Sequence, residues 1–210
     1  VMPTVDMAKD NSKTRIDPLI EESPSLKHKV EEPRSREGGN TMLMKEFRGG
    51  FLGMTGANSP ASLRSKPIRY LFMDEVDAYP GNVGGEGDPV ELAIGRTRTF
   101  SKRKIFTVST PKIANHSRIE NLYNESDRRK YYVPCPRCGG MQVLKWQKIK
   151  WDAGNPQGAW YECEHCDAKI YNHEKDQMLA HGEWRSEVKN YRGKTAGFHL
   201  SSLYSPVGWF

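Results

Sequence analysis

Ile68-Arg69-Tyr70-Leu71-Phe72-Met73-Asp74-Glu75-Val76-Asp77 is the stretch that decides how this chain is read. An apolar run of strand length stops abruptly at two adjacent carboxylates. P-loop NTPases carry acidic residues at the C-terminal end of a buried strand, one to hold Mg²⁺ and its neighbour to orient the water that attacks a γ-phosphate. A hard, oxygen-loving cation and a water nucleophile together need two carboxylates at the mouth of a sheet. Asp74 and Glu75 fit these two roles. In isolation the pattern equally describes a strand that ends in a solvated acidic turn, because short motifs recur by chance.

Downstream, residues 104–108 form a second apolar run that ends in Ser109-Thr110-Pro111. A parallel neighbour would present these small hydroxyl residues to the same crevice as the carboxylates. Helicase-like motors use such a strand end to couple the γ-phosphate to movement, although alone a Ser-Thr-Pro turn is only a turn. Between the two runs, Asp88-Pro89 opens a helix expected to reach Arg98, and Ser117-Arg118-Ile119-Glu120 is a capping-box pattern for a helix to about Ser126. Arg64, Arg96 and Arg98 are candidates for phosphate or DNA contacts, against the plainer role of solvated arginines at helix ends.

Upstream, strands are expected over residues 41–44 and 51–54 with Gly49-Gly50 as the turn. Thr4 is expected to cap a helix over residues 6–13, and Asp17-Pro18 reads as an N-cap with proline at the first helical position. Residues 24–40 are rich in Lys, Glu, Arg, Ser, Pro and Gly, and are expected to be a weakly ordered surface segment. Short apolar strands alternating with helices predict an α/β layer with a parallel sheet.

From Tyr131 the texture changes. Cys135-Pro136-Arg137-Cys138-Gly139-Gly140 and Cys163-Glu164-His165-Cys166 are two C-x-x-C turns separated by 24 residues, and the chain has no other cysteine. Each turn aims two sulfurs at one point, and four thiolates in tetrahedral array suit Zn²⁺ in a closed, structural site. Without a secretory signal disulfides are the less expected use, and the doubled spacing makes free or redox thiols the weaker reading. His165 is expected outside the ligand set. A short helix capped by Asn172 over residues 173–181 and an extended segment over residues 196–203 follow. Basic and aromatic residues around the cysteines (Arg128, Arg129, Lys130, Trp146, Lys150 and Trp151 among them) suit either a phosphate backbone or the faces of a small β unit.

The chain has 210 residues, 32 basic against 26 acidic side chains and a net charge of +6. That excess is compatible with a polyanionic partner but does not demand one. No apolar run approaches the length of a membrane-spanning helix, and the first residues form no signal peptide. Because the chain starts Val1-Met2 rather than with Met, it is expected to be clipped at the front and to be soluble inside the cell.

Taken in order, Tyr70-Leu71-Phe72-Met73-Asp74-Glu75-Val76-Asp77-Ala78-Tyr79-Pro80, Ser109-Thr110-Pro111, Ser117-Arg118-Ile119-Glu120, Tyr132-Val133-Pro134-Cys135-Pro136-Arg137-Cys138-Gly139 and the closing Gly197-Phe198-His199-Leu200 with Tyr204-Ser205-Pro206 resemble the lambda-type phage terminase large subunit, the GpA family. The resemblance runs through essentially the whole chain. It implies a RecA-like P-loop ATPase sheet followed by a small β zinc ribbon, with Asp74 as the Mg²⁺ ligand, Glu75 as the catalytic carboxylate and Ser109-Thr110 as the coupling segment. It further implies ATP as cofactor, and double-stranded DNA, a small terminase subunit, the portal of a procapsid and further copies of the chain as partners in the host cytoplasm, with an endonuclease in the same polypeptide.

On this resemblance residues 1–130 belong to the packaging ATPase, 131–172 to the zinc ribbon and 173–210 to a connector toward the nuclease. No G-x-x-x-x-G-K-[ST] phosphate loop occurs in the sequence. The family places that loop upstream of Val1 and the nuclease carboxylates beyond Phe210, so the chain is expected to be truncated at both ends and inefficient as an ATPase by itself. Two other readings stay open at this point: a non-enzymatic zinc-ribbon module that binds DNA or protein, and a fragment of another helicase-type ATPase.

Overall fold

A computed structural model describes residues 1–30 and 41–206. Residues 31–40 of the expected surface segment therefore lie outside the described residues. The chain divides into two compact units, Val1–Ile119 and Glu120–Phe210. No helix among the described residues is long and apolar enough to cross a membrane.

The first unit opens with α1 (Val5–Asn11), where Thr4 Oγ1 accepts the Met7 N–H at 3.2 Å. The helix then continues through a π-helical turn, Ser12–Ile16, into α2 (Asp17–Glu22), so the expected N-cap at Asp17 does not form. Pro18 lacks an N–H and its ring collides with the carbonyl four residues back; a wider π turn just before it relieves both. Asp17 instead pairs with Lys45 at 2.7 Å. After α3 (Pro24–Lys27), strands β1 (Met44–Phe47) and β2 (Gly50–Gly53) form an antiparallel hairpin. Phe47 pairs with Gly50, which moves the two-residue turn to Arg48-Gly49, one position earlier than expected. Gly49 adopts φ +90°, a left-handed conformation that suits glycine at a tight hairpin turn.

The centre of this unit is a β-α-β segment. After α4 (Pro60–Arg64) come β3 (Tyr70–Asp74), α5 (Pro89–Gly95) and β4 (Lys104–Val108). Asp88 caps α5 by accepting the Val90 N–H at 2.7 Å. Strands β3 and β4 are parallel, in register from Tyr70↔Lys104 to Asp74↔Val108. The period-two pleat sends Leu71 and Met73 inward, where they pack with Ala57, Leu63, Val76, Tyr79, Val83, Val90 and Ala93. Tyr70, Phe72, Phe106 and Val108 are exposed, so among the described residues β3 is covered on one face. Helix α5 ends at Gly95, short of Arg98.

Helix α6 (Arg118–Asn124) spans the division between the units. In the second unit β5 (Arg129–Pro134) pairs with β6 (Met141–Gln142), and β7 (Ile149–Asp152), β8 (Asn155–Glu162) and β9 (Lys169–Tyr171) form an antiparallel sheet. A 3₁₀ turn, Asn172–Glu174, leads into α7 (Lys175–Ala180). Strands β10 (Glu183–Ser186) and β11 (Phe198–His199) then flank β5 on either side. The segment read as a connector thus contributes two strands to the sheet of β5, and the expected boundary at residue 130 falls inside β5. Leu203 and Tyr204 belong to the same core as Val133, Cys135, Tyr161, Cys163 and Ile170. The Tyr204 hydroxyl donates to the Tyr131 carbonyl at 2.7 Å and accepts the Leu144 N–H at 2.9 Å. A pair of cysteine knuckles with three short strands has little apolar surface of its own, and these C-terminal side chains enlarge its core. Trp146 and Trp151 lie exposed at 56% and 48%, which puts them on the outside of this β unit rather than in its core.

Candidate functional site

At the C-terminal end of β3 the chain turns sharply. Asp74 sits opposite Val108 in the parallel register, and the Glu75 N–H donates to the Val108 carbonyl at 2.9 Å, carrying the pairing one residue beyond the strand. Glu75 itself is left-handed, with φ 55° and ψ 46°. For a residue with a Cβ this conformation costs roughly 1–2 kcal/mol, and such strain concentrates where the backbone must aim a functional group. A 3₁₀ turn, Val76–Ala78, follows at once. Asp74 also lies close enough to Tyr79 for its charge to add to burial in pushing the phenol pKa up.

The end of β4 is tied to this turn. Ser109 Oγ accepts the Asp77 N–H at 3.2 Å, so Asp74, Glu75 and Ser109 are gathered at one edge of the β3–β4 pair. Thr110 follows Ser109 in the chain and is exposed. Arg64 and Arg96 lie elsewhere, at the N-terminal ends of the strands. Arg64 pairs with Glu86 at 2.9 Å, the Arg96 guanidinium donates to the Arg64 carbonyl at 3.1 Å, and the Arg96 carbonyl accepts the Ile68 N–H at 3.1 Å.

Asp77 is a residue that the sequence reading did not single out. Its carboxylate accepts the Lys112 N–H at 3.1 Å and the Ile119 N–H at 2.9 Å, and the Ser117 side chain also hydrogen-bonds to it. Burial works against its ionised form, but these hydrogen bonds, with a further one from the Arg118 backbone, outweigh it and hold the carboxyl below the usual range. The first turn of α6 therefore also receives a carboxylate from another loop, beside the capping-box pattern of residues 117–120.

Arg118 locks the same loop from the other side. Its Nε and one terminal nitrogen donate to Asp88 Oδ2 at 3.1 and 2.9 Å, and the guanidinium reaches the carbonyls of Val76, Tyr79 and Pro80 at 3.0, 2.9 and 2.8 Å. All five donors of the fork are engaged, which fixes the path of residues 76–80 behind Glu75. The one sequence signal for Asp77 was a third acidic residue, two positions after Glu75.

The second candidate site is the cysteine cluster. The four sulfurs of Cys135, Cys138, Cys163 and Cys166 all lie within 4.8 Å of one another, with Cys135–Cys166 and Cys138–Cys163 at 3.9 Å. A tetrahedral ion with metal–sulfur bonds of about 2.3 Å requires sulfur–sulfur edges of about 3.8 Å, whereas a disulfide needs about 2.05 Å. The cluster therefore has the dimensions of a metal cage.

Both knuckles are built alike. The Gly139 N–H bonds the Cys135 carbonyl and the Cys135 N–H the Gly140 carbonyl, each at 2.9 Å; the Asp167 N–H bonds the Cys163 carbonyl at 3.2 Å and the Cys163 N–H the Ala168 carbonyl at 3.0 Å. Gly139 and Asp167 are the left-handed residues at equivalent positions. Backbone N–H groups of Arg137 and His165 point at Cys135 Sγ and Cys163 Sγ at 3.4 and 3.3 Å. A side chain at Gly140 would strike the His165 ring, whose Nε2 is 3.1 Å from the Met141 carbonyl. Burial disfavours a charged Cys163, yet the N–H groups of His165 and Cys166 draw its thiol pKa down, while neighbouring sulfurs push that of Cys166 up against the Ala168 N–H. Four thiolates so close together need a cation among them, and the donor set fits a divalent metal.

A family model described as the phage terminase large subunit gpA, ATPase domain, matches residues 1–184. The terminase large subunit of Enterobacteria phage P21 is 31% identical over 229 residues, covering 97% of this chain and 35% of that protein. The terminase large subunit of Escherichia phage lambda is 30% identical over 183 residues, covering 83% of this chain and 28% of that protein. This chain thus spans about a third of the length of these relatives. No solved structure matches it. A family match over most of the chain, and a parallel strand pair that ends in paired carboxylates beside a Ser-Thr-Pro turn, lead to one conclusion: the chain belongs to the phage terminase large subunit gpA family, within its ATPase domain.

Proposed function

We propose that this chain is part of an ATP-driven motor that moves viral double-stranded DNA into procapsids, and that the C-terminal edge of β3 and β4 is its nucleotide-facing side. The observation that carries this reading is the gathering of Asp74, Glu75 and Ser109 at one strand end, held by the Glu75–Val108 and Asp77–Ser109 hydrogen bonds. Asp74 would hold the Mg²⁺ of bound ATP. That ion neutralises charge on the phosphates. Glu75, aimed by its left-handed backbone, orients the water that attacks the γ-phosphoryl group. Ser109, bonded to the Asp77 N–H, and Thr110 form the coupling segment that follows the γ-phosphate.

In the second unit Cys135, Cys138, Cys163 and Cys166 would hold a structural Zn²⁺, whose binding adds roughly 10–16 kcal/mol of folding free energy in small zinc domains. The partners that go with this reading are duplex DNA, a small terminase subunit, the portal of a procapsid and further copies of the chain, in the host cytoplasm. The test is Asp74→Ala in the full-length protein, read as DNA-stimulated ATP turnover at saturating Mg²⁺. Turnover should fall at least about 100-fold, since the loss of a preorganised charged group costs roughly 3 kcal/mol or more of barrier. Near-normal turnover would remove Asp74 from the nucleotide site.

A further inference from the structure

We infer that the opposite end of the β3–β4 pair, away from Asp74 and Glu75, is a docking surface for the phosphate backbone of duplex DNA, formed by Arg69, Arg96, Arg98, Lys102, Arg103 and Lys104. The inference rests on the packaging reading and adds to it the place where the polyanion lies.

Charge segregation in the sequence is the first observation. From Leu92 to Ile119 there is no Asp or Glu, while Arg96, Arg98, Lys102, Arg103, Lys104, Lys112 and Arg118 all fall in that span. The fold then concentrates most of these cations. The Lys104 N–H donates to the Arg69 carbonyl at 3.1 Å, the Arg69 guanidinium reaches the Lys102 carbonyl at 3.4 Å, and Arg103 bonds Thr97 Oγ1 at 3.3 Å. With the Ile68–Arg96 backbone bond, these contacts knit the start of β3, the start of β4 and the end of α5 into one edge. Arg69, Arg98, Lys102, Arg103 and Lys104 are exposed.

None of the six forms an ion pair with a carboxylate among the described residues. The contrast is with the second unit, where Lys130, Arg137, Lys145, Lys148 and Arg185 are each paired with a glutamate. A helix C-terminus accounts for cations at Arg96 and Arg98 through its dipole, but not for three consecutive cations at the start of a strand. Uncompensated like charges at this density cost free energy, and a partner made of phosphates relieves that cost.

The edge also has a concave element. Arg69, Thr99, Phe100, Ser101 and Lys102 line a shallow depression of about 290 Å³. Two cations and two hydroxyls around it supply the donors that a phosphate oxygen accepts, and phosphate contacts of this kind position a protein on duplex DNA without reading its sequence. Arg96 Nε is buried and has no hydrogen-bond partner at the same edge. The nucleotide of the proposed reaction binds at the other strand ends, so this depression is free for a second, polymeric phosphate ligand.

The experiment measures equilibrium binding of a fluorescent 30-base-pair duplex to the full-length protein by anisotropy, from about 50 to 200 mM salt. It compares wild type with R98Q/K102Q/K104Q, whose side chains make no described hydrogen bond, and with the charge-matched control K189Q/R192Q/K194Q in the second unit. Each lost phosphate contact reduces the slope of log K against log salt by about 0.9, so the first triple variant should flatten it by close to 3 and weaken binding at 100 mM salt at least about tenfold. The control should bind as wild type does. If the triple variant does not fold, Lys102→Gln alone should flatten the slope by about 0.9. Unchanged binding by a folded variant, or equal weakening by the control, overturns the assignment of this surface and leaves the packaging reading standing. Wild-type protein that binds no duplex overturns both.

Discussion

Asp77→Ala should cost this protein stability out of proportion to the exposure of the site, because one carboxylate accepts from four donors, the Ser117 side chain and the N–H groups of Lys112, Arg118 and Ile119. The Ile119 N–H it accepts at 2.9 Å is a first-turn donor of α6, and losing a capping acceptor costs about 0.5–2 kcal/mol. Ser117, buried at 2% exposure, loses an acceptor for its side chain, which adds roughly 1–3 kcal/mol if nothing replaces it. The exposed Lys112 N–H at 3.1 Å can turn to water and adds almost nothing. The sum is a loss of roughly 1.5–5 kcal/mol. Denaturant unfolding measures it, and hydrogen exchange at the Ile119 amide localises it.

The same variant has a pH signature. Hydrogen bonding holds the folded Asp77 carboxyl below its ordinary value, so its stabilisation is complete above the unfolded pKa of about 3.9 and is lost as pH falls through the folded one. The gap between wild type and Asp77→Ala should be constant from about pH 5 to 8 and close below about pH 4. A cost under about 0.5 kcal/mol, with Ile119 exchange unchanged, would refute the cap, since a solvated acidic turn predicts that result.

Glu75→Gly should separate fold from chemistry: it relieves a left-handed residue at φ 55° and should be stabilising by about 0.5–1 kcal/mol in denaturant unfolding, while ATP turnover of the full-length protein collapses. A destabilised but active Glu75→Gly protein would show that the side chain holds the turn and performs no chemistry. Purified protein should contain one zinc per chain by elemental analysis, and verified removal of that metal should abolish amide protection across β5 to β9. Persistent protection in the metal-free protein would mean that the core around Tyr161 and Ile170 suffices without the ion.

The two strands at the carboxylate site were legible because each is a short apolar run with an abrupt polar stop, and both β3 and β4 fall within two residues of where those runs predicted them. The cysteine knuckles were legible because C-x-x-C spacing specifies local geometry directly. What escaped was non-local. Asp77 and Arg118 are 41 positions apart, and nothing in their own neighbourhoods says that one caps a distant helix while the other closes a loop. Local pattern did suggest a cap at Ser117, but nothing local indicates that the Ile119 N–H goes to the charged carboxylate of Asp77. Residues 196–203 were expected to be extended, but the strand that they and residues 183–186 pair with was not legible, for a related reason. Strands β10 and β11 carry short, mixed sequences, and only the unmet pairing needs of β5 identify their place.

The two proposed functions of the first unit meet on one strand. β4 begins at Lys104, among the cations, and its end leads directly to Ser109, beside Glu75, a span of about 17 Å at strand rise. Five consecutive registered pairs with β3 prevent β4 from slipping by a single residue without turning every side chain to the opposite face. A load applied at Lys102 to Lys104 is therefore carried along the strand as a rigid displacement, not dissipated by local rearrangement. Coupling between sites still requires an element with two arrangements at one end of that strand. The contact best suited to that role is the 3.2 Å bond from the Asp77 N–H to Ser109 Oγ, because it joins the two strand-end loops through a single side-chain hydroxyl that can rotate to a phosphate instead. Asp77 and Arg118 hold the surrounding loop firmly enough that this hydroxyl is the group free to change partners.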